Sequence, residues 1–446
     1  MAEITSTREL KRVLDRKDLL SIGIGQTIGA GIFALLGVGI GMTGKSINVS
    51  MIVSALFVMA MLVPMMFVSG TIRMRGGMYT QLALLVNDTC SGFFAIIHII
   101  AWSALAMYAI SFADYMLALV PGLNRTLVSF AVLTIFYVTN LMGIKGAARI
   151  QNAMMVIMAL ALTVFVVGGL PQLAPGYFSG ANFMTHGVVG VLSAGALMTW
   201  ATGGANVVIH LGAEAKNPTK DIPFVLVTAT LIIAVFYALM ATVAAGVLPI
   251  GEVVGKPLTL VAQQILPRPL YLFFVIGGAM FALTTTLNAA LGWVTKPILQ
   301  ACVDGWFPRW LGAVNEKHKT PHVILTLLYA ESLLAIFFKF DISVLANMAV
   351  ILNNILFALV CYSAVRMETV IPEIWGRSKF HVSHGQLYFW CILGGTATLA
   401  QNGLLIGVLK PYEFWGNVIV TVFAVFYAVM RKRSGAVHME ISYEET

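Results

Sequence analysis

The sequence predicts an all-α, polytopic membrane protein with twelve transmembrane helices, and three observations predict it. Hydrophobic residues make up 59% of the chain and charged residues only 10%, whereas a soluble domain is about one quarter charged. Apolar segments of about 20 residues, the length that crosses a ~30 Å hydrocarbon core, recur from end to end. Two of these segments are interrupted by glycine-rich stretches, at 25–33 and 202–206, with the interruptions five helices apart. The mean hydropathy is +0.89, and no soluble domain or low-complexity linker fits between the segments. Residues 1–446 therefore read as a single transmembrane domain.

The first 18 residues are charged and polar, and no cleavable signal is visible in them. Span 1 covers 19–42 and is centred on Gly25-Gln26-Thr27-Ile28-Gly29-Ala30-Gly31-Ile32-Phe33. Each glycine costs a helix about 1 kcal/mol against alanine, so Gly25, Gly29 and Gly31 weaken its continuity. Small residues also serve close helix packing. In hydrocarbon, however, an opened turn is tolerable only where its freed N–H and C=O groups line a cavity or meet a ligand. Span 2 is 47–70, and after it comes a polar connector at 73–90 that is expected to be cytoplasmic or partly re-entrant. Spans 3, 4 and 5 are 92–120, 126–143 and 147–170. Span 6, 187–211, holds the second interruption, Thr202-Gly203-Gly204-Ala205-Asn206. Spans 7 to 12 are 222–247, 269–301, 322–339, 342–365, 386–408 and 412–430, and the chain closes on a short polar tail.

Lysine and arginine placement sets the orientation. With both termini cytoplasmic, only Lys45, Arg125, Lys256, Arg268, Lys339 and Lys410 of the 27 basic residues fall outside. A multi-pass plasma-membrane protein with both ends inside is the expectation. The net charge of +8 is spread over loops rather than gathered into one patch, so no nucleic-acid partner is expected. Cys90, Cys302, Cys361 and Cys391 are scattered without metal-type spacing, and neither a metal nor a cofactor is expected.

An odd interval of five helices makes span 1 run outward and span 6 inward. That is the requirement of an inverted-topology repeat with a substrate site at the midplane, where the two interruptions meet. Repeat one would be about 19–170 and repeat two about 187–365, with 386–430 peripheral.

Several motifs carry a family resemblance. Gly29-Ala30-Gly31-Ile32-Phe33 resembles the glycine-rich first helix of the amino acid–polyamine–organocation transporters, and Gly76-Gly77-Met78-Tyr79 resembles their first cytoplasmic connector. The stretch from Glu214-Ala215-Lys216-Asn217-Pro218 to Pro223 is similar to the loop after their sixth helix. Asp304-Gly305-Trp306-Phe307-Pro308, with Val314-Asn315 and Thr320-Pro321, is similar to their eighth-to-ninth connection. The matches run in the family's order. The resemblance implies a LeuT-type fold, two inverted five-helix repeats with discontinuous helices 1 and 6, transporting amino acids or related amines by alternating access.

The chemistry of the interruptions can be read from the residues themselves. A half-helix beginning near Ile32 aims N–H groups and a positive dipole end at the cavity, which suits a carboxylate. Carbonyls of Thr27 and Ile28, and of Trp200, Ala201 and Thr202, are acceptors suited to an ammonium. Ala30 and Gly31 leave the backbone approachable, and Asn206 both donates and accepts within the second interruption. One site thus matches a zwitterion without a charged side chain. By resemblance, Trp200 sits where the family places an aromatic lid, although a bulky packing role is the plain alternative. Trp293, in Leu291-Gly292-Trp293, resembles the eighth helix of the family's antiporters or is simply packing. Glu214, paired with a nearby base, is a candidate inner gate.

Intramembrane ionisable groups need individual weighing. Asp114 either draws cations into an outer vestibule or reaches interfacial water. Glu331 reads as structural. His98 and His210 either titrate or bond backbone, and of the pair Asn353-Asn354 only one amide is expected to face the cavity squarely. Some family members carry a lysine in helix 5 in place of a sodium ion; Met158 stands at that position here. A candidate ion site is formed by carbonyls of Gly25 and Ile28 with hydroxyls of Thr285 and Thr286, though membrane threonines commonly bond their own i−4 carbonyls. The function expected is secondary transport of amino acids or small amines, by exchange rather than by sodium- or proton-coupled symport. An intramembrane enzyme would need convergent nucleophile, base or metal ligands at membrane depth, and none is found. The partners expected are a small-molecule substrate and the lipid bilayer, with a homodimer left open.

Overall fold

Apolar segments of this length become helices because hydrocarbon leaves every backbone polar group to be satisfied within the segment. The computed structural model describes residues 14–446 apart from 75, 143–146, 179–182, 213–214, 316, 319, 440, 442 and 446, and apart from the side chains of 30, 147–154 and 443–445. Span 1 is two helices, α1 (Arg16–Thr27) and α2 (Ala30–Thr43), and span 2 is α3 (Ile47–Ser69). Strand β1 (Ile72–Met74) and helix α4 (Met78–Leu85) form the connector. Span 3 is α5 (Asp88–Ala101), a 3-10 turn at Trp102–Ala104, and α6 (Leu105–Leu119). Next come α7 (Arg125–Leu141) and α8 (Ala147–Gly169).

Span 6 is α9 (Gly187–Thr202) running into a 3-10 helix at Gly204–Leu211, and α10 (Pro218–Gly246) comes next. After α11 (Ile250–Val253) and α12 (Thr259–Ile265), span 8 is assembled from α13 (Arg268–Phe273), a π-helical stretch at Phe274–Met280, α14 (Phe281–Trp293) and α15 (Thr295–Val303). The chain ends with α16 (His322–Phe337), α17 (Ile342–Ser363), α18 (Met367–Val370), α19 (Pro372–Arg377), α20 (His384–Ile406), α21 (Pro411–Arg433) and β2 (Tyr443–Glu445). Among the described residues nine helical runs are long and apolar enough to cross a membrane. The first of them, Gly31–Ser69, takes in both α2 and α3, and α7 and α16 are shorter apolar helices. The chain is a multi-pass membrane protein.

Local chemistry sets the helix starts. Asp15 caps α1, accepting from the amides of Lys17 and Asp18, while the Asp18 side chain bonds back to Asp15. Asn87 and Asn124 cap α5 and α7 in the same manner. Inside the bundle α3 packs on α9 and α10, α2 on α9, and α1 on α10 and the 3-10 helix of span 6. The two interrupted helices are therefore central neighbours.

Two features depart from an all-helical reading. The connector at 73–90 is not a polar loop, since Met78, Tyr79, Leu82 and Leu85 are buried. And β1 pairs antiparallel with β2 at the C-terminus, Arg73 opposite Glu444. The N-terminal end joins the same layer: Leu14 bridges Ala215, and the Arg73 guanidinium donates to the Ala215 carbonyl at 3.2 Å.

Candidate functional site

At the first interruption the amide of Ile28 still bonds back to the carbonyl of Ile24 (2.7 Å). The amide of Gly29 turns instead to the Thr27 carbonyl (2.8 Å), not to Gly25 four residues back, and the ladder stops. Helix α2 then restarts with Gly29 at its N-cap and no capping side chain, which leaves its first N–H groups for another acceptor. The Thr27 carbonyl also accepts the Tyr237 hydroxyl at 2.7 Å, so it is already engaged twice. At the second interruption the Gly203 amide closes α9 on the Thr199 carbonyl (2.8 Å), and a tighter turn begins. The Thr202 hydroxyl lies 2.5 Å from that of Ser54.

The interruptions touch each other. A methyl built on Gly31 would fall 2.3 Å from the Cα of Ala201, and one on Gly204 would fall 2.7 Å from the Cα of Thr27. Gly31 and Gly204 therefore serve close backbone approach. In this arrangement Gly31 is covered by Ala201 rather than left open to a cavity.

Beside this contact lies a cavity of about 90 Å³, room for several water-sized groups at roughly 10–15 Å³ each. Gln26, Gly203, Gly204 and Asn206 border it from the interruptions. Aromatic rings form its wall. Trp102 lies 5.5 Å from Trp200 and 4.7 Å, edge-on, from Trp293, and His210 stacks on Trp293 at 5.5 Å. His98 stacks on Phe94 at 5.4 Å, and its Nε2 sits 3.3 Å from the Val294 carbonyl. No charged side chain lies among the described lining residues.

Of the residues singled out from sequence, Trp200, Asn206, Trp293, His98 and His210 line this cavity. Asn353 and Asn354 both border it as well. Their roles differ, because Asn353 bonds the Ala349 carbonyl of its own helix and Asn354 donates to Asn402 of α20 at 3.1 Å. Thr27, Gly31 and Ala201 sit in the packed contact next to it, Ile28 and Thr202 are buried without lining the cavity, and the side chain of Ala30 lies outside the described residues, as does Glu214. Asp114 is paired with Arg125, at 2.5 and 2.7 Å.

In the candidate ion site Thr285 bonds the carbonyls of Phe281 (2.8 Å) and Ala282 (3.1 Å), the ordinary helical arrangement. The buried Thr286 hydroxyl has no partner among the described residues and faces Gly29. The Met158 sulfur lies 4.0 Å from the Thr285 hydroxyl, so the residue at the helix 5 position does face α14. Gln26, Trp102, Tyr108 and Gln401 line the cavity without having stood out in the sequence. Phe94, His98 and Trp102 recur every four residues, one face of a helix, and that spacing is the signal that could have found Trp102.

The amino acid permease family model matches residues 14–431. The branched-chain amino acid permease BcaP of Bacillus subtilis (strain 168) is 27% identical over 356 residues, covering 72% of this chain and 74% of that protein. Cationic amino acid transporter 1 of Arabidopsis thaliana is 25% identical over 439 residues, 94% of this chain and 72% of that protein. A methylthioribose transporter of Bacillus subtilis (strain 168) is 23% identical over 344 residues, 71% and 73% of the two chains. With the family model spanning nearly the whole chain and two interrupted helices packed at its centre, the chain belongs to the amino acid permease family.

Proposed function

We propose that this chain is a secondary transporter, not an enzyme, that carries an amino acid or related small amine across the plasma membrane by alternating access, with substrate exchange driving the cycle. The observation that carries the reading is the uncharged, aromatic-walled cavity beside two helix interruptions that pack on each other. Relatives named for branched-chain and for cationic amino acids support the substrate class. Aromatic walls suit an apolar side chain and, through their ring faces, a flat cation.

The proposed architecture is one domain of twelve crossings. The nine long apolar runs, the first of them double, and the two shorter helices supply that number. Two inverted repeats, 19–170 and 187–365, precede peripheral helices at 386–430. Both termini are cytoplasmic, a reading supported by Leu14 and strand β2 coming together round Arg73.

In the proposed site the substrate carboxylate meets the uncapped start of α2 at Gly29, Ala30 and Gly31. Its ammonium meets carbonyls of Ile28, Trp200, Ala201 and Thr202, with Asn206 at the rim, and the Thr27 carbonyl joins them only where it gives up the Gly29 amide or the Tyr237 hydroxyl. The side chain extends toward Trp293. Trp200 closes the site, Glu214 pairs with a base at the inner end, and outward opening would part Gly31 from Ala201.

The test compares uptake of radiolabelled amino acids into empty and substrate-preloaded proteoliposomes, with and without sodium. Exchange predicts uptake only into preloaded vesicles and no sodium effect. A second reading, sodium-coupled symport through Gly25, Ile28, Thr285 and Thr286, is favoured by the unpartnered Thr286 hydroxyl. Sodium-dependent accumulation in empty vesicles, abolished by Thr286→Val, would replace exchange with symport. Accumulation driven by a pH gradient alone would make the coupling ion a proton.

A further inference from the structure

A second concavity, of about 340 Å³, opens where the ends of α3 and α10 meet the segment after α19, and it shares no described lining residue with the transport cavity. Four exposed cations surround it. Lys216 and Lys220 come from the connector before and into α10, Arg377 ends α19, and Lys379 lies in the connector before α20. No acidic side chain is among its described lining residues. None of the four cations takes part in an ion pair among the described residues.

Two acids near it among the described residues, Asp221 and Asp15, are otherwise engaged. Asp221 is held by Arg16 at 2.7 Å. Asp15, whose carboxyl is kept below the usual carboxylate range first by the Asp18 amide, feels Lys216, and its Oδ1 accepts the Lys17 and Asp18 amides that cap α1. Like charges gathered round one concave wall repel each other and raise the local potential for an anion. Neutral donors point the same way. The 29-residue α10 starts here, Asn217 at its N-cap makes no capping bond, and Thr219 stands in its first turn. That end of a long helix carries a positive partial charge. A general excess of basic residues in cytoplasmic loops explains their sign. It does not explain why two connectors far apart in sequence bring four of them round one cavity.

We propose that this concavity binds a phosphate-bearing anion, either the headgroup of an anionic lipid or a soluble phosphate compound, bridging the 216–220 and 377–379 connectors. Its existence does not depend on the exchange reading, because it is tested by binding alone.

Full-length protein is reconstituted in nanodiscs of neutral phosphatidylcholine, in discs that also contain phosphatidylglycerol, and in neutral discs with added inorganic pyrophosphate. Thermal melting and native mass spectrometry of retained lipid are the readouts. A rise in melting temperature in the phosphatidylglycerol arm identifies a headgroup site, and a rise in the pyrophosphate arm identifies a soluble ligand. In the responding arm Lys216→Gln/Lys220→Gln and Arg377→Gln/Lys379→Gln each weaken binding by more than tenfold, at about fivefold per cation removed. Lys216→Arg/Lys220→Arg and the distant control Arg309→Gln/Arg433→Gln keep the response. Equal melting of all variants in neutral discs without anion excludes misfolding. No response in either arm, or a response undiminished in both Gln pairs, would overturn the site.

Discussion

Gly31 and Trp200 make the sharpest residue-scale tests. A methyl at Gly31 meets the Ala201 backbone, which has no rotamer to move aside. Gly31→Ala is expected to cost about 1–3 kcal/mol through overpacking, read as a lower melting temperature in detergent. Gly31→Val is expected to insert into the membrane, to melt lower still than Gly31→Ala and to lose substrate binding altogether; wild-type binding by folded Gly31→Val would remove this contact from the site. Trp200 packs 5.5 Å from Trp102 and borders the cavity. Trp200→Leu should release bound substrate roughly tenfold faster, equivalent to ~1.4 kcal/mol of lost contact, with little change in melting. Normal retention by Trp200→Leu would make the residue packing only. The hydroxyl run at 284–286 is legible in the sequence as a cluster, but its split is not. Thr284 and Thr285 satisfy themselves on their own helix, whereas Thr286 turns to Gly29 and has no partner among the described residues. Residue type cannot tell a self-bonded hydroxyl from an orphaned one, because the difference lies in which neighbour faces it.

At the scale of elements, the interruption of span 1 is legible because glycine spacing is a local property, and the structure breaks that helix between Thr27 and Ala30. The connector after span 2 reads in the sequence as a polar stretch, cytoplasmic or partly re-entrant, and the structure makes of it a strand and a buried helix. Its glycines do mark a sharp turn, since Gly76 and Gly77 have φ of 84° and 59°. Beyond the turn, however, α4 is a buried helix whose apolar face only the neighbouring elements reveal. Gly77 also lies against the His210 ring, on the cavity wall. Gly77→Ala should therefore destabilise by about 1–3 kcal/mol from backbone strain, with added displacement of His210. Gly251→Ala, in open space at ordinary φ, should stay within about 0.5 kcal/mol. Thermal melting of the two variants side by side checks the pair, and equal melting would mean the turn is not as described.

Across the whole molecule, the C-terminal tail is tied back onto the connectors after α3 and α15. Strand β2 pairs with β1, the His438 amide donates to the Asp304 carbonyl at 2.9 Å, and Lys432 pairs with Asp88. Deleting residues 435–446 removes the first two links and keeps the third. The deletion is expected to cost about 1–2 kcal/mol, the net worth of one or two exchanged hydrogen bonds, and to lower the melting temperature without blocking membrane insertion. An unchanged melting curve would show that the strand pair contributes nothing to stability. The sequence by itself determined the membrane class, the helical runs and the place of both interruptions. Hydropathy and glycine spacing act within one segment and need no partner. Only the tertiary structure decided that the interruptions face each other through Gly31 and Ala201, that Trp102 and Gln401 reach the cavity, and that Leu14 and strand β2 come together round Arg73. Those are contacts between segments far apart in sequence, and their closeness is set by how whole helices pack rather than by any local pattern of residues.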